Sequence, residues 1–284
     1  VTLVRMTTQA STHPLDDALV LQAQEQTPGI FHGRTTPAYW NMVGPFGGIT
    51  AAVLLQAVLD HPQLLGEPLS LTVNFAAAVT EGAFTIKATP VRTNRSTQHW
   101  IITLEQPGAN GEPAIATTAT AVTAVRRETW SVTDSPMPQA PAVELCERAA
   151  PAFRSEWLSR YEMRPVSGNL PTVWDDSGDT SLSQLWVRDA PARPLDFPAL
   201  AAVSDVFYPR MWLRRARQVP AGTVSITTYF HANSAQLAQS GSGYLFAQAR
   251  AQELRNGFCD QTAQLWNADG LMLATSSQIV YYKE

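Results

Sequence analysis

The chain of 284 residues carries 20 Lys and Arg against 24 Asp and Glu, a formal net charge of −4. An acidic balance of this size argues against nucleic acid as the main partner. Hydrophobic residues make up 45% and charged residues 15%, so a sizeable core can form and extended disorder is not expected. The length fits one large domain or two of moderate size.

The cysteine content and the apolar runs bear on the compartment. Cys146 and Cys259 are the only cysteines, too few for a disulfide framework, which favours a reducing cytoplasm. Residues 1–17 contain no apolar run long enough for a signal peptide, and no window approaches the length of a membrane span. The only lysines are Lys87 and Lys283, a bias typical of a GC-rich bacterial genome. We therefore expect a cytoplasmic bacterial protein without a membrane span.

The first half predicts one buried helix followed by an antiparallel meander. Residues 47–61, GGITAAVLLQAVLDH, are apolar almost all round, which is typical of a helix buried on most sides. Gly47 and Gly48 at its start leave backbone N–H groups free to approach a ligand. Alternating apolar residues predict strands at 69–75, at 84–88, at 100–104 and in a run that ends at 125.

The second half predicts a similar unit after a connecting segment. Residues 136–141, PMPQAP, indicate a linker, and residues 167–181 indicate a loop. Between them, residues 142–161 predict a helix that makes contacts through Leu145, Phe153, Trp157 and Leu158. Further predicted elements are a strand at 183–188, a short buried helix at 198–208 ended by Pro209, and strands at 223–231, 243–253, 260–267 and 271–282. We place an N-terminal domain at 1–135, a linker with helix and loop at 136–181, and a C-terminal domain at 182–284.

The two halves repeat each other in sequence. Residues 68–75, PLSLTVNF, match residues 223–230, TVSITTYF, at an offset of 155, and Gly111 matches Gly270 at an offset of 159. The repeat indicates an α+β unit used twice. Aligning Phe75 with Phe230 puts Pro68 opposite Thr223. Aligning Ala116 with Ala274 puts Thr120 opposite Gln278, so the polar groups belong to the second copy and predict one composite site.

Few residues offer chemistry. The chain contains no G-x-S-x-G, no phosphate loop, no G-x-G-x-x-G and no H-E-x-x-H, and its five histidines are scattered, so the sequence predicts no metal site. We interpret Asp175, Asp176 and Asp179 as solvated loop acids because their spacing fits no calcium loop.

Asp205 is the strongest candidate for chemistry. It lies among apolar neighbours in AAVSDVFY, where a carboxylate is costly unless it is hydrogen-bonded or used. Burial would raise the pKa of Asp205 toward the range of a general base. The alternative is an Asp that points to the helix end and is hydrogen-bonded to water. Taken alone, Thr223 and Gln278 are ordinary strand residues that indicate no function. Together with Asp205 they could hold and polarise one water molecule.

Several segments together resemble the double-hotdog acyl-CoA thioesterases, over roughly residues 25–283. They are PFGGITAA at the first helix, QLWVR, VSD at Asp205, GTVSITTYFHAN around Thr223, and DGLMLATSSQ ending at Gln278. The resemblance implies an α+β tandem (double) hotdog, each a long buried helix wrapped by an antiparallel β-sheet. It also implies that Asp205, Thr223 and Gln278 activate water, with Thr227 and Thr228 as alternatives for the hydroxyl.

The expected function is hydrolysis of acyl-CoA thioesters in fatty acid metabolism, with Gly47 and Gly48 N–H groups stabilising the oxyanion. The resemblance implies no metal, cofactor or covalent intermediate. The expected partners are acyl-CoA and further copies of the chain, in a dimer of double hotdogs. Which Arg residues meet the CoA phosphates stays open between Arg95 and those at 214–217.

Two other functions are compatible with the sequence. A non-enzymatic acyl-CoA or lipid-binding protein is one alternative, because fold does not imply function. A hotdog enoyl-CoA hydratase is the other alternative. Such hydratases resemble one another in an Asp that is followed five positions later by His. Here the residue five positions after Asp205 is Arg210, which disfavours this alternative.

Overall fold

The computed structural model describes residues 13–150 and 155–284. Within them, thirteen strands form one continuous antiparallel sheet, in the order β1-β2-β4-β5-β6-β3-β9-β13-β12-β10-β8-β7, with β11 paired to β12. The strands are β1 Gln22–Ala23, β2 Ile30–Arg34, β3 Glu67–Phe75, β4 Ala83–Thr93, β5 Thr97–Pro107, β6 Pro113–Ala124, β7 Tyr161–Ser167, β8 Ser183–Asp189, β9 Ala221–Phe230, β10 Leu245–Arg250, β11 Leu254–Arg255, β12 Phe258–Trp266 and β13 Met272–Tyr282.

Two buried helices lie inside the curve of this sheet. They are α2 Gly47–Leu59 and α3 Phe197–Val203, while the shorter helices are α1 Pro14–Ala18, α4 Arg210–Arg215 and α5 Ser234–Ser240. A side chain at Gly48 would place its Cβ 2.4 Å from the carbonyl oxygen of Ala202, so only glycine permits the approach of α2 to α3. Their apolar surfaces share one core with the inner face of the sheet. The predicted α+β architecture, a helix wrapped by antiparallel strands and used twice, is confirmed.

The two halves meet at one strand pair. Strands β3 and β9 are antiparallel neighbours, with Thr72 directly opposite Thr227, and their Oγ1 atoms lie 2.9 Å apart. Their numbers differ by the 155-residue offset of the repeat, so they are equivalent positions. The pseudo-twofold axis that relates the two halves therefore passes between them.

The sheet register corrects one alignment predicted from the repeat. Phe75 pairs with Thr117 in the first half, and Phe230 pairs with Ala274 in the second. The counterpart of Ala274 is thus Thr117 rather than Ala116, and the counterpart of Gln278 is Ala121 rather than Thr120. A one-residue slip moves a side chain to the other face of a strand. Ala121 and Gln278 both point inward and are buried, whereas Thr120 is exposed.

The helix predicted over 142–161 is wrong. Two short 3-10 turns stand there, Val143–Leu145 and Glu156–Arg160, and the second runs directly into β7, which pairs with β8. Pro151 in the middle of this stretch has no N–H to donate in a helix interior. Leu145 is 79% exposed rather than packed, Trp157 and Leu158 are buried, and Phe153 lies outside the described residues. The domain bounds at 135 and 181 stay predictions.

The second buried helix is shorter than predicted. It ends at Val203 with Ser204 as its C-cap, not at 208. The Ser204 hydroxyl donates to the carbonyl oxygen of Leu200 at 2.8 Å, which satisfies a carbonyl of the last turn. Asp205 therefore stands in the turn after the helix, from which its side chain reaches the N-terminus of α2.

Candidate active site

A cavity of about 480 Å³ opens at the N-terminus of α2, between the two halves of the molecule. Gly47, Asp205, Thr223 and Gln278 all line it, and Gly48 lies directly behind Gly47 in the first turn of α2. The structure thus brings together all five residues that the sequence singled out. Two belong to the first half of the chain and three to the second.

The three polar side chains form one hydrogen-bonded chain. Thr223 Oγ1 donates to Gln278 Oε1 at 3.2 Å, and Gln278 Nε2 donates to Asp205 Oδ1 at 2.8 Å. An ionised carboxylate can only accept hydrogen bonds, so the amide nitrogen of Gln278 must face it and the amide oxygen must face Thr223. Gln278 and Asp205 are only 4% and 9% exposed, so this order is held away from bulk water.

A bulge in β9 turns Thr223 into the cavity. Ile226, Thr228 and Phe230 point inward, and simple alternation would direct residue 224 inward and residue 223 outward. Instead, Thr223 pairs with Val280 and Ser225 with Ile279, so Val224 is the extra residue and is exposed. The bulge resets the alternation and directs the Thr223 hydroxyl to Gln278.

The alternative hydroxyls do not reach this chain. The Thr227 Oγ1 atom bonds Thr72 at the junction of the two halves, and Thr228 is a buried residue paired with Ser276. Neither residue lines the cavity. Of the three threonines considered from the sequence, Thr223 is the one whose hydroxyl contacts Gln278.

Asp205 sits directly on the N-terminus of α2. The Gly48 N–H donates to its carboxylate, and a Cβ on Gly47 would lie 2.7 Å from Asp205 Oδ2. The N-cap residue is Phe46, whose side chain has no atom that accepts a hydrogen bond, so first-turn N–H groups remain available to other acceptors. Gly48 is already engaged by Asp205, which leaves Gly47 as the better placed of the two predicted oxyanion donors.

Burial raises the pKa of Asp205 from 3.8 to about 7, while hydrogen bonds from Gln278 and from the Gly48 N–H act in the opposite direction. A carboxyl group with a pKa near neutrality exists in both protonation states around pH 7. It can therefore take up a proton and give it back, as a general base must.

The counterpart position in the other half carries no such chemistry. Pro68 and Ala121 stand where Thr223 and Gln278 stand in the second half, and neither side chain has a polar group. At the start of α3, the Asp196 side chain already accepts the Ala199 N–H, and Pro198 has no N–H. The asymmetry predicted from the repeat is thus present in the structure, with the corrected residue pair.

Two walls of the cavity were missed by sequence reasoning. The rings of Phe46 and Trp157 stack with centroids 4.3 Å apart, and both residues line the cavity. Trp157 comes from the segment that was interpreted as a linker helix. Its burial was foreseen, but the sequence contains no signal that pairs it with Phe46.

A narrow apolar crevice continues from the cavity beneath α2. It shares Pro45, Thr50 and Val79 with the cavity and has a volume of about 20 Å³. Its remaining lining is mainly apolar and includes Ile49, Val53, Phe84 and Leu104.

The arginines considered for phosphate binding lie elsewhere. Arg214, Arg215 and Arg217 border a separate cavity of about 410 Å³. Arg215 pairs with Asp176 and Glu284, and Arg217 lies 3.7 Å from Asp176, so this loop acid is ion-paired rather than merely solvated. Arg95 lies in the turn between β4 and β5.

A helix that is wrapped by an antiparallel sheet is a hotdog, and two such units in one chain define a double hotdog. Comparison with models of protein families shows which family this chain belongs to. The model of the acyl-CoA thioesterase N-terminal domain matches residues 36–124, and that of the acyl-CoA thioesterase C-terminal domain matches residues 131–282. The chain belongs to the acyl-CoA thioesterase family. No curated protein matches it significantly.

Solved structures agree with the fold. A conserved hot-dog-fold protein of unknown function from Alicyclobacillus acidocaldarius is 43% identical, with a TM-score of 0.89 over 96% of this chain and 99% of that one. The acyl-CoA thioesterase II TesB2 from Mycobacterium marinum is 16% identical, with a TM-score of 0.75 over 95% and 98%. The tesB protein of Mycobacterium avium subsp. paratuberculosis is 17% identical, with a TM-score of 0.73 over 95% and 98%. The predicted double hotdog is confirmed.

None of the helices in residues 13–150 and 155–284 is both long and apolar enough to cross a membrane.

Proposed function

We propose that the protein hydrolyses acyl-CoA thioesters to a free acid and CoA. The observation that carries this proposal is the chain from Thr223 through Gln278 to Asp205, which ends on the N-terminus of α2. This arrangement places a carboxyl group with a pKa of about 7 beside helix N–H groups, in one cavity at the interface of the two halves.

The reaction uses one water molecule held beside Asp205 and Thr223. Gln278 fixes Asp205 Oδ1, which leaves Oδ2, the oxygen above Gly47, to accept a proton from the water. The water oxygen forms a bond to the thioester carbon as the proton passes to Asp205. The C–S bond then breaks, and Asp205 returns the proton to the departing thiolate, so that acid and thiol are released and the carboxylate is restored.

The negative charge that develops on the thioester oxygen lies at the start of α2. The helix dipole and the Gly47 N–H favour an anion at this position. A single oxyanion donor typically contributes about 3 kcal/mol of barrier reduction. Gly47 must lack a side chain for two reasons. The substrate oxygen has to approach its N–H, and the Asp205 carboxylate occupies the space that a Cβ would fill.

The experiment is thiol release from acyl-CoAs of increasing chain length, measured for wild type, Asp205→Asn and Gln278→Ala. We expect hydrolysis by wild type and a loss of about a hundredfold or more in kcat for both variants. Undiminished hydrolysis in both variants would refute the assigned site. Tight acyl-CoA binding by a wild type that releases no thiol would favour the non-enzymatic lipid-binding alternative.

The hydratase alternative is tested in the same samples by following the absorbance of an enoyl-CoA. It has no support from Arg210, which stands where that resemblance requires His, because the Arg210 guanidinium is engaged by the Tyr208 carbonyl oxygen. Consumption of the enoyl group without thiol release would reverse this assignment.

We also propose that the protein acts in the bacterial cytoplasm, in fatty acid metabolism, as a dimer of double hotdogs. Support for further pairing is the broad outer face of the sheet, where Tyr229, Ile279 and Tyr281 are exposed apolar residues. Light scattering coupled to size exclusion would show twice the chain mass. A monomer at working concentration would exclude the dimer.

A further inference from the structure

Arg210 is a buried cation with no acidic partner in the described part of the chain. It is the first residue of α4 and is 1% exposed. Among the described residues, no carboxylate lies within ion-pair distance of its guanidinium, although ten other ion pairs occur there. Arg is seldom fully buried unless it is paired, because moving its charge out of water costs several kcal/mol.

Neutral oxygens occupy most of its donors. Nε and Nη2 both donate to the Tyr208 carbonyl oxygen. Nη1 donates to the Ser181 carbonyl oxygen, to Ser183 Oγ at 2.7 Å and, more weakly, to the Ala249 carbonyl oxygen at 3.4 Å. A guanidinium has five N–H groups, so these bonds leave one on Nη2. Burial lowers the pKa of Arg210 to about 9, which means that these neutral dipoles do not fully replace the lost hydration.

A small cavity lies against this guanidinium. Its volume is about 30 Å³, and its lining includes the polar side chains of Asn169, Ser183 and Gln184 beside Arg210. That is room for a group of one or two water-sized atoms. The two oxygens of a carboxylate match this space, whereas the four oxygens of a phosphate exceed it.

The small cavity adjoins the candidate active site. Phe207 and Tyr208 border both cavities, and they stand in the short segment that joins Asp205 to Arg210. The two cavities therefore share a wall, and only this segment lies between an acyl group that starts at Asp205 and the guanidinium of Arg210. The Phe207 ring centroid is 5.6 Å from the guanidinium carbon, so this ring of the shared wall packs against the buried charge.

We propose that Arg210 binds the terminal carboxylate of a dicarboxylic acyl group, so that the substrate class is the CoA monothioesters of dicarboxylic acids. This inference rests on the proposed thioesterase function and specifies its substrate. The carboxylate supplies the missing counter-charge and accepts hydrogen bonds from the remaining Nη2–H and from the Asn169 amide. The buried setting strengthens each of these bonds.

The kinetic test compares matched substrates. Succinyl-, glutaryl- and adipyl-CoA are each measured against butyryl-, valeryl- and hexanoyl-CoA, which differ by the terminal carboxylate. We expect kcat/KM to favour at least one dicarboxylic substrate by about ten- to hundredfold, the range of hydrogen bonds to charged groups. A preference for the monocarboxylic partner at every length would overturn the proposal.

Ser183→Asp tests the site without deleting Arg210, whose loss could prevent folding. Ser183 Oγ is 2.7 Å from Nη1, so the introduced carboxylate pairs with the guanidinium permanently. We expect the ratio between dicarboxylic and monocarboxylic substrates to fall to about one. Ser183→Ala, which adds neither charge nor bulk to the cavity, keeps the ratio. An unchanged ratio in Ser183→Asp would overturn the proposal.

A binding measurement separates this inference from the proposed function. Free glutarate should raise the melting temperature of wild type but not of Ser183→Asp, and glutaramide should have no effect on either. If glutarate stabilises wild type alone while no thioester is hydrolysed, the carboxylate site stands and the thioesterase proposal falls. If monocarboxylic thioesters are hydrolysed and glutarate has no effect, the thioesterase proposal stands and the carboxylate site falls.

Discussion

Asp205→Asn should remove most of the activity and also the loss of stability that the wild type shows as the pH rises to neutrality. In the wild type, the folded state holds this carboxyl group at a pKa of about 7, whereas in the unfolded chain its value is 3.8. A raised carboxyl pKa means that the folded state binds more protons than the unfolded state between these values. Stability from this group is therefore greatest in acid and is lost as the pH rises toward 7.

The size of the effect follows from the two pKa values. A difference of about three pH units corresponds to about 4 kcal/mol, which is the full cost of an ionised Asp205 above pH 7. Between pH 5 and pH 8 the accessible part is about 2–3 kcal/mol. Asn has no charge to bury, so the variant does not lose this stability as the pH rises. The comparison depends only on the change with pH, so a constant cost from the altered hydrogen bonds cancels.

The assay is urea unfolding of both proteins from pH 5 to pH 8, with thiol release measured on the same samples. The free energy of unfolding of the variant should rise relative to wild type by about 2–3 kcal/mol across this range. Asp189→Asn is the control, because burial also raises the pKa of Asp189 to about 7 but Asp189 does not line the active-site cavity. It should show a similar pH dependence of stability and retain thiol release. A difference between Asp205→Asn and wild type that stays constant with pH would refute the reasoning.

Gly47→Ala should lower kcat about a hundredfold, because its Cβ would displace the Asp205 carboxylate, whereas Gly243→Ala, in the loop before β10 and without this contact, should not. Gly48→Ala should lower the free energy of unfolding by about 1–3 kcal/mol, seen in urea titration, because its Cβ meets a carbonyl oxygen of α3. Thr223→Ser should keep most of the activity and Thr223→Val should lose it; equal rates would exclude a role for the hydroxyl. For wild type, kcat/KM should rise with pH and level off above about 7, the pKa of the general base; a flat profile would contradict it.

Local pattern and repetition were enough to predict most of the fold. The apolar run after Gly47 and the alternating segments gave the buried helix and the strands, because both signals depend on neighbours in sequence. The shared motifs of 68–75 and 223–230 predicted the duplication. The candidate site residues Asp205, Thr223 and Gln278 are also brought together in space, although their catalytic roles stay predictions.

The sequence could not predict what depends on register, chain path or distant packing. The bulge at Val224 directs the Thr223 side chain inward, and no pattern of residues in the sequence predicts this bulge. The alignment of Thr120 with Gln278 was wrong by one residue because loops of different length separate the paired strands. The position of Trp157 in the cavity wall depends on the packing of its segment against Phe46, which is distant in sequence. The isolation of Arg210 from acids is likewise a property of the folded neighbourhood.

The strand pair centred on Thr72 and Thr227 joins two halves that each hold part of the candidate site. Gly47 belongs to one half and Asp205 to the other, and the carboxylate lies against the backbone of the opposite half. A chain cut in the segment after β6 would separate the proposed base from the proposed oxyanion donor, so we expect neither fragment to hydrolyse a thioester alone. Activity recovered on mixing the fragments would therefore report their reassociation, without any added label.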